Sequence, residues 1–396
     1  MRALGLGVAA LAVASGSLVV AGPAQADPAV TVPAGGGVTL TGLGYGHGHG
    51  MSQYGANGAA AKGLTAAQIL AFYYPGTALT SVSTTLRVRL TADTGNDTVV
   101  LPARNLRLRD TADGATFVLP ASRSITRWRI VPNGSTSVSK VQYLSGGTWR
   151  GWAVPGRTNL RKEGEFKASV PTRLVLPSGS TRAYRGWLRN ARTPSGGGTR
   201  GTLNVIPLEK YVRGVVASEM PASWRPAALQ AQAVAARTYA VNIQRSRTGQ
   251  WYHLCDTTSC QVYGGQSNET GTTDAAIKAT KGRIVTYAGK PAFTQFSSSS
   301  GGYTLAGTVP YLVSKADAYD PANPWKVRLT ASRVQRAYPS IGTLRSVQVT
   351  RRDGRGSWGG RITAIRFTGT KKSVSVTGDR ARSAFGLRST LFTVSR

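Results

Sequence analysis

One helical stretch set among many short strands is the feature that most constrains this fold. Residues 207–247 form the only strongly helical stretch in the second half of the chain. Elsewhere, apolar and polar residues alternate between Gly, Pro, Asn and Asp turns, a pattern typical of strands. Between residues 82 and 206 the predicted strands are Leu86 to Leu90, Thr98 to Leu101, Thr116 to Leu119, Arg127 to Val131, Thr172 to Leu176 and Thr202 to Ile206, and strands return over 282–396. Helices segregated from strands indicate an α+β fold.

The first 26 residues have the pattern of a secretion signal. Arg2 precedes an apolar run over residues 3–21, and Ala24-Gln25-Ala26 offers a cleavage site of small residues. An uncleaved N-terminal helix is the alternative. No later segment is apolar enough to span a bilayer, so we expect a secreted protein, extracellular or associated with the cell wall, without a transmembrane segment.

The charge of the chain is strongly basic, with 49 Lys and Arg against 16 Asp and Glu and a net charge of +33. Inside a cell, such a charge would suggest nucleic acid. Outside a cell, the available polyanions are the cell wall and lipid head groups, and solubility is the alternative explanation. The basic residues form no long run and no repeat with aromatic residues, which argues against a nucleic-acid partner.

Five glutamates are the candidates for acid and base chemistry: Glu163, Glu165, Glu209, Glu219 and Glu269. The first two lie in a polar stretch that we expect to be exposed. Glu209 follows Pro207 at a helix start, where the positive helix end stabilises its anion. Glu269 lies in a loop of Ser, Asn, Thr and Gly.

Glu219 differs because an apolar run precedes it and Met220-Pro221 follows it. Proline disfavours helical geometry at the residue before it, so Glu219 should lie at a helix C-terminus. The negative helix end and apolar neighbours should both raise the pKa of this carboxyl group. Glu219 is therefore a candidate general acid, and an exposed glutamate without a role is the alternative.

The next predicted helix carries a buried polar residue. Ser223 can cap it and Pro226 suits its first turn. At about 100° per residue, Gln232 and Tyr239 fall on the buried side, while the polar side is formed by Gln230, Arg237 and Gln244. A buried amide at Gln232 needs partners, either a neighbouring loop or a polar cleft that it lines.

A Gly-His string lies near the N-terminus, from Tyr45 to Met51. An extended backbone would place Tyr45, His47 and His49 on one face and glycines on the other. We favour a substrate groove lined by these residues; a metal held by the two histidines and a tightly packed strand are the alternatives. A helix is expected over 66–74, with Thr65 as its N-cap.

Cys255 and Cys260 are the only cysteines of the chain. Two nearby cysteines in an exported protein favour one disulfide, which would fix the turn before Gln261. The alternative is a zinc site with His253 as third ligand.

Several long motifs together resemble the SpoIID/LytB family, the family of sporulation stage II protein D and the amidase enhancer. The two longest run from Leu208 to Pro221 and from Ala228 to Tyr239. Further matches are Tyr184-Arg185-Gly186, Gln261 to Gly265, Ser299 to Thr304, Phe385 to Phe392, Gly46 to Ala56, and Ile69 to Thr77. The resemblance covers residues 184–396 clearly, 41–77 strongly and 82–183 weakly. It implies a SpoIID-like, β-rich fold in which the central helical segment lines a cleft.

The resemblance also implies a lytic transglycosylase that cleaves peptidoglycan glycan strands, with the glutamate of the Glu-Met-Pro motif, Glu219, as its catalytic residue. Such an enzyme needs one acid/base and no cofactor, whereas a hydrolase needs a second carboxylate. Some family members instead look like helpers of amidases. The alternative function is therefore a non-catalytic wall-binding protein or an amidase activator. The expected partners are glycan strands and the anionic wall, with an amidase as a further candidate.

Nine further residues are expected to contact substrate: Gln232, Arg237, Tyr239, His47, His49, Ser52, Gln53, Tyr263 and Ser299. In the family, the His-Gly motif usually follows the C-terminal Ser-Thr-Leu-Phe strand, whereas here it lies near the N-terminus. This order resembles a circular permutation, so residues 41–56 should pack beside 385–395 and near the catalytic cleft. The expected domains are a signal peptide, 1–26, a segment that completes the cleft, 27–81, and a SpoIID-like domain, 82–396, with a β-rich part, 82–183, and a catalytic core, 184–396.

Overall fold

A computed structural model describes residues 26–134 and 137–396, so the predicted signal segment lies outside the described residues except for Ala26. The described chain divides into two units. One comprises Leu43–Trp325, and the other joins the residues up to Gly42 to Lys326–Arg396. The predicted domains 27–81 and 82–396 place the boundaries elsewhere. None of the helices in the described residues is both long and apolar enough to cross a membrane.

The described residues combine many short strands, nearly all in antiparallel pairs, with a few helices, which confirms the α+β class. The strands are β1 Val30–Thr31, β2 Gly37–Gly42, β3 Met51–Ser52, β4 Ala78–Ser81, β5 Thr85–Arg89, β6 Thr98–Val100, β7 Arg107–Asp110, β8 Thr116–Val118, β9 Ile125–Pro132, β10 Ser139–Ser145, β11 Thr148–Gly151, β12 Gly164–Lys167, β13 Thr172–Val175, β14 Thr181–Tyr184, β15 Trp187–Arg192, β16 Arg200–Pro207, β17 Leu254–Cys255, β18 Arg283–Tyr287, β19 Lys290–Pro291, β20 Phe296–Ser297, β21 Trp325–Thr330, β22 Leu344–Arg352, β23 Ile362–Gly369, β24 Ser373–Thr377 and β25 Phe392–Ser395. The helices are α1 Gln53–Ala61, α2 Ala66–Tyr73, α3 Leu208–Glu219, α4 Pro226–Ser246, α5 Gly271–Ala279, α6 Ala331–Ala337 and α7 Gly378–Ala384.

Two large sheets build the β-rich part of the unit formed by residues 43–325. Seven strands follow the order β17-β5-β16-β15-β12-β7-β8, and six follow the order β11-β10-β9-β6-β13-β14. All six strands predicted between residues 82 and 206 are present in these sheets. Their inward side chains form one apolar core that includes Leu86, Leu108, Trp128, Phe166 and Leu188.

The expectation that Glu163 and Glu165 are both exposed is wrong for Glu165, which is fully buried on β12. Arg109 Nε donates to Glu165 Oε2 at 2.7 Å, and Arg189 Nε donates to Oε1 at 2.6 Å. A buried carboxylate needs such partners, because its water shell is lost. The two arginines come from β7 and β15, the strands on either side of β12, and the sequence alone does not show which strands are neighbours.

The helical centre packs on this core through α3 and α4. The apolar face of α3, with Tyr211, Val212 and Val215, joins the same core as the sheets. The expectation that Ser223 caps α4 is wrong. The helix begins at Pro226, and its N-cap residue, Arg225, makes no side-chain cap bond. Proline presets the first-turn backbone and has no N–H to satisfy, so it can start the helix without a hydroxyl cap.

The Gly-His string does not form the extended strand that the sequence suggests. Gly44, Gly46, Gly48 and Gly50 all have positive φ, at 79°, 113°, 80° and 66°. A strand requires negative φ throughout, so the backbone here follows an irregular path that only glycine adopts readily. Isolated bridges hold the string, at Tyr45 to Ser299 and His49 to Leu305. Directly after it comes α1, which the sequence did not predict; α2 matches the predicted helix and has Thr65 as its N-cap.

The second unit contains two smaller sheets, with strand orders β1-β22-β23-β24 and β21-β2-β25. In the latter, Thr41 pairs with Thr393 and Gly42 with Phe392 in an antiparallel register. This pairing confirms the adjacency expected from the permuted motif order for residues 41–42. Residues 43–56 belong to the other unit.

Candidate functional site

Glu219 is the last residue of α3, as the sequence predicts. Met220 leaves the helix with an extended backbone, at φ −129° and ψ 141°. Its N–H still donates to Val216 O at 3.0 Å, so the final turn is closed. The carboxyl group is therefore presented at the negative end of a rigid helix.

Two donors, one to each oxygen, hold the Glu219 carboxyl group. The backbone N–H of Val262 donates to Oε1 at 3.1 Å, and Gln53 Nε2 donates to Oε2 at 3.4 Å. Burial raises the pKa of Glu219 above its usual value, while these two hydrogen bonds stabilise the anion and lower the pKa in part. The net rise keeps more of the group protonated than an exposed glutamate would be, which suits a general acid. Glu219 as a residue is partly exposed.

The start of α1 positions Gln53. Ser52 is the N-cap residue, and its Oγ accepts a hydrogen bond from Gly55 N at 2.9 Å. The same hydroxyl donates to Asp320, which also accepts from Ser299 Oγ at 2.8 Å. Ser52 and Ser299 are both buried and share Asp320 as a hydrogen-bond acceptor, while the substrate contacts expected at these two positions stay predictions.

The turn after the cysteines positions Val262. Cys255 and Cys260 are joined by a disulfide, which confirms the favoured pairing. Bridged sulfurs offer no thiolates to zinc, and His253 Nδ1 instead accepts from Arg87 N at 3.1 Å. Beyond the bridge, Gln261 Nε2 donates to Ala236 O on α4 at 3.2 Å. The turn is thus tied to α4 at the residue before Val262.

The two histidines of the Gly-His string lie side by side. Their ring centroids are 5.3 Å apart, and His49 N donates to His47 Nδ1 at 3.0 Å. His49 Nδ1 lies 3.2 Å from Leu305 O. Both histidines are partly exposed, and they precede the start of α1 in the chain. The described residues contain no cluster of three or more His, Cys, Asp or Glu that could hold a metal ion.

Gln232 is fully buried on α4, as the helical wheel predicts. Neither its Oε1 nor its Nε2 has a hydrogen-bond partner among the described residues. The alternative of a structural bond to a neighbouring loop is therefore not realised there. Tyr239 lies two turns after Gln232 on α4. It is partly exposed, and its ring stacks on that of Phe293 with ring centroids 5.6 Å apart.

Arg237 and Tyr263 find their partners inside the protein. Arg237 is fully buried, and its Nε donates to Glu209 Oε1 at 2.8 Å. Tyr263 is 3% exposed, and its hydroxyl donates to Asn204 Oδ1 at 2.7 Å. Arg237, which the helical wheel places on the polar side of α4, is thus buried as well, and the substrate contacts expected of Arg237 and Tyr263 stay predictions.

Sequence reasoning missed the backbone of Val262 and the two aspartates Asp317 and Asp320. A backbone donor has no residue-type signature, so nothing in the sequence could mark Val262. Asp317 is buried and Asp320 is partly buried, and they accept bonds from hydroxyls of the serine motif and of α2, including Tyr73 Oη to Asp317 at 3.0 Å. Two acids in the otherwise acid-poor stretch 303–325 are the signal that could have identified them.

Comparison with known proteins confirms the predicted resemblance to the SpoIID/LytB family. The family model described as Stage II sporulation protein, SpoIID, matches residues 197–287, which contain α3, α4 and the Val262 turn. The amidase enhancer of Bacillus subtilis is 42% identical over 129 residues, covering 31% of this chain and 17% of that protein. Stage II sporulation protein D of Bacillus amyloliquefaciens is 40% identical over 140 residues, covering 30% of this chain and 41% of that protein. The chain thus spans less than half the length of either relative.

Proposed function

We propose that this protein cleaves peptidoglycan glycan strands as a lytic transglycosylase, with Glu219 as its single acid/base. The observation that carries the proposal is the carboxyl group of the partly exposed residue Glu219, held by Val262 N–H and Gln53 and given a raised pKa by burial. A group of this kind can donate a proton and afterwards accept one.

In the proposed reaction, protonated Glu219 donates its proton to the glycosidic oxygen as the bond from that oxygen to C1 of the muramic sugar breaks. The 6-hydroxyl oxygen of the same sugar then forms a bond to C1. Its proton passes to the Glu219 carboxylate, which restores the acid and leaves a 1,6-anhydro end. The two hydrogen bonds from Val262 and Gln53 stabilise the anion between these steps.

The neighbours of Glu219 suit a mechanism with one carboxylate. Its hydrogen-bond partners among the described residues are an amide and a backbone N–H, and neither can act as a second base. A hydrolase that inverts or retains configuration uses a pair of carboxyl groups about 5–9.5 Å apart. The intramolecular hydroxyl of the sugar takes the place of the second group.

The proposed substrate agrees with the charge and with the N-terminal signal pattern. A net charge of +33 favours a polyanionic surface, and the name of one similar protein, amidase enhancer, supports a role at the cell wall. We place the mature protein outside the cytoplasm, at the wall, after removal of residues 1–26.

The test is Glu219→Gln, assayed on purified peptidoglycan and on denuded glycan strands with mass analysis of the released ends. The wild type should release anhydro-muramic ends, and the variant should do so at least ~10²-fold more slowly. Glu163→Gln, on the β-rich part, is the matched control and should keep wild-type activity. Glu219→Gln should be at least as stable as wild type at neutral pH, because the raised pKa of the Glu219 carboxyl group means that folding disfavours its ionised form.

The second candidate function is activation of an amidase, which the name of the Bacillus subtilis relative favours. An activator would raise the release of stem peptides by an added amidase, and Glu219→Gln would stimulate the amidase as well as wild type does. Absence of anhydro ends with wild-type protein, together with such stimulation, would replace the enzymatic proposal by this one.

A further inference from the structure

A polar groove of about 550 Å³ lies beside the candidate catalytic carboxyl group. Its wall includes Val262, whose N–H donates to Glu219 Oε1 at 3.1 Å, and the two residues that follow, Tyr263 and Gly264. The volume lies within the range of about 300–1,000 Å³ that small-molecule sites occupy. A ligand in this groove would therefore contact the turn whose Val262 N–H donates to Glu219.

The groove wall is fixed against the residue that precedes Glu219. Asn268 lines the groove, and its Nδ2 donates to Ser218 Oγ at 3.0 Å. The approach of Asn268 to the backbone of Gly264 leaves no room for a side chain at that glycine. Hydroxyls and amides, such as those of Thr257, Ser267 and Asn268, can exchange hydrogen bonds with sugar hydroxyls.

The charges of the groove are Asp256 and Arg182. Asp256 is 8% exposed, and its Oδ1 accepts from Thr91 N at 3.0 Å and Thr91 Oγ1 at 2.6 Å, so this carboxylate is engaged by the protein. Arg182 is exposed and forms no ion pair among the described residues. Burial raises the pKa of Tyr184 to about 12, and both the positive charge of Arg182 and a hydrogen bond from its side chain oppose this rise, so the guanidinium lies close to the Tyr184 hydroxyl.

We infer that this groove binds a sugar unit that carries a carboxylate, with Arg182 as the residue that recognises the anion. A planar guanidinium forms two parallel hydrogen bonds to a carboxylate, a geometry that lysine cannot reproduce. The inference rests on the proposed glycan-strand substrate and names a subsite of the same cleft, next to the bond that is cut.

The carboxylate has two possible sources in peptidoglycan. One is the lactyl group of a muramic acid from which the stem peptide has been removed. The other is a carboxylate of a stem peptide that is still attached. Both present the same chemistry beside the sugar ring, and the substrates of the test separate them.

The test measures binding in the Glu219→Gln background, so that turnover does not consume the strands. Arg182→Gln and Arg182→Lys are compared with Arg150→Gln, an exposed arginine on β11 whose loss changes the net charge equally. The probes are denuded strands, the same strands with their carboxylates amidated, and peptide-bearing strands. We expect Arg182→Gln to weaken binding about 10-fold on strands that present the recognised carboxylate, and Arg182→Lys to restore it only in part.

Loss confined to denuded strands identifies the lactyl carboxylate, and loss confined to peptide-bearing strands identifies the peptide. Amidated strands should bind all variants within 2-fold of each other, as a neutral ligand gives Arg182 nothing to recognise. Equal losses for Arg182→Gln and Arg150→Gln, or a loss that persists on amidated strands, would overturn the inference. A protein without transglycosylase activity can still pass this binding test, so failure of the proposed reaction and failure of the subsite are distinguishable.

Discussion

Close packing of α1 should make Gly55→Ala both less stable and less active. A methyl group at this position would overlap Tyr73 Oη and lie 2.9 Å from Asp317 Oδ2. Tyr73 Oη donates to both Asp317 oxygens at 3.0 Å, so the methyl group enters a buried hydrogen-bonded pair. Overpacking costs about 1–3 kcal/mol, and a strained bond to a charged group adds about 1 kcal/mol. Alanine recovers about 1 kcal/mol of helix propensity, which leaves a net loss of about 2 kcal/mol.

Activity should fall because Gln53 lies two residues before Gly55 on the same helix. A shift of α1 lengthens the 3.4 Å contact between Gln53 Nε2 and Glu219 Oε2, and we expect a loss of roughly 5- to 10-fold in kcat. Thermal unfolding should show a midpoint roughly 3 °C lower, and release of anhydro ends should report the rate.

The matched control is Gly271→Ala, at the first residue of α5, where an added methyl group meets no atom within 4 Å. It should melt at or slightly above the wild-type temperature and keep full activity. A Gly55→Ala variant that is as stable and as active as this control would refute the argument that close packing of α1 positions Gln53.

Two further variants test the electrostatics of the site. Gln53→Ala removes a hydrogen bond that lowers the pKa of Glu219, so this pKa should rise further and the alkaline limb of the kcat/KM pH profile should move to higher pH. Gln230→Ala is the control. An alkaline limb that stays in place or moves to lower pH in Gln53→Ala would contradict this prediction. Arg237→Leu leaves Glu209 without its buried partner and should destabilise the protein by about 2–4 kcal/mol; a stable variant with a raised KM for glycan strands would instead support the substrate contact predicted for Arg237.

The sequence was sufficient where local chemistry decides the structure. Pro221 ends α3 because it constrains Met220, and this places Glu219 at the helix terminus. Only two cysteines exist, five positions apart, so their pairing had one intramolecular solution. Of the twelve strands from β5 to β16, six (β5, β6, β8, β9, β13 and β16) carry enough alternation and flanking turn residues to be recognised from the sequence.

The sequence was insufficient where glycine decides the structure. Gly55 and Gly58 lower helix propensity by about 1 kcal/mol each relative to alanine, and α1 therefore gives no clear helical pattern. The structure shows why glycine is needed at Gly58: a side chain there would overlap Tyr319 O. The same freedom hid the path of the Gly-His string, because glycine adopts positive and negative φ about equally and its backbone cannot be read from residue type.

The hydrogen-bond donors to Glu219 come from two parts of the chain, one inside and one outside the segment matched by the family model. The helix that carries the carboxyl group and the turn that presents Val262 N–H both lie within residues 197–287, the segment matched by the SpoIID family model. Gln53, the second donor, lies far outside it. Because Val262 donates through its backbone, a side-chain substitution there leaves the donor in place, whereas any substitution of Gln53 by an apolar residue removes one. The pKa of the proposed acid can therefore be adjusted from α1 without altering the matched segment, and chains that share this segment can differ in the pH range of their chemistry through the residue that occupies this one position.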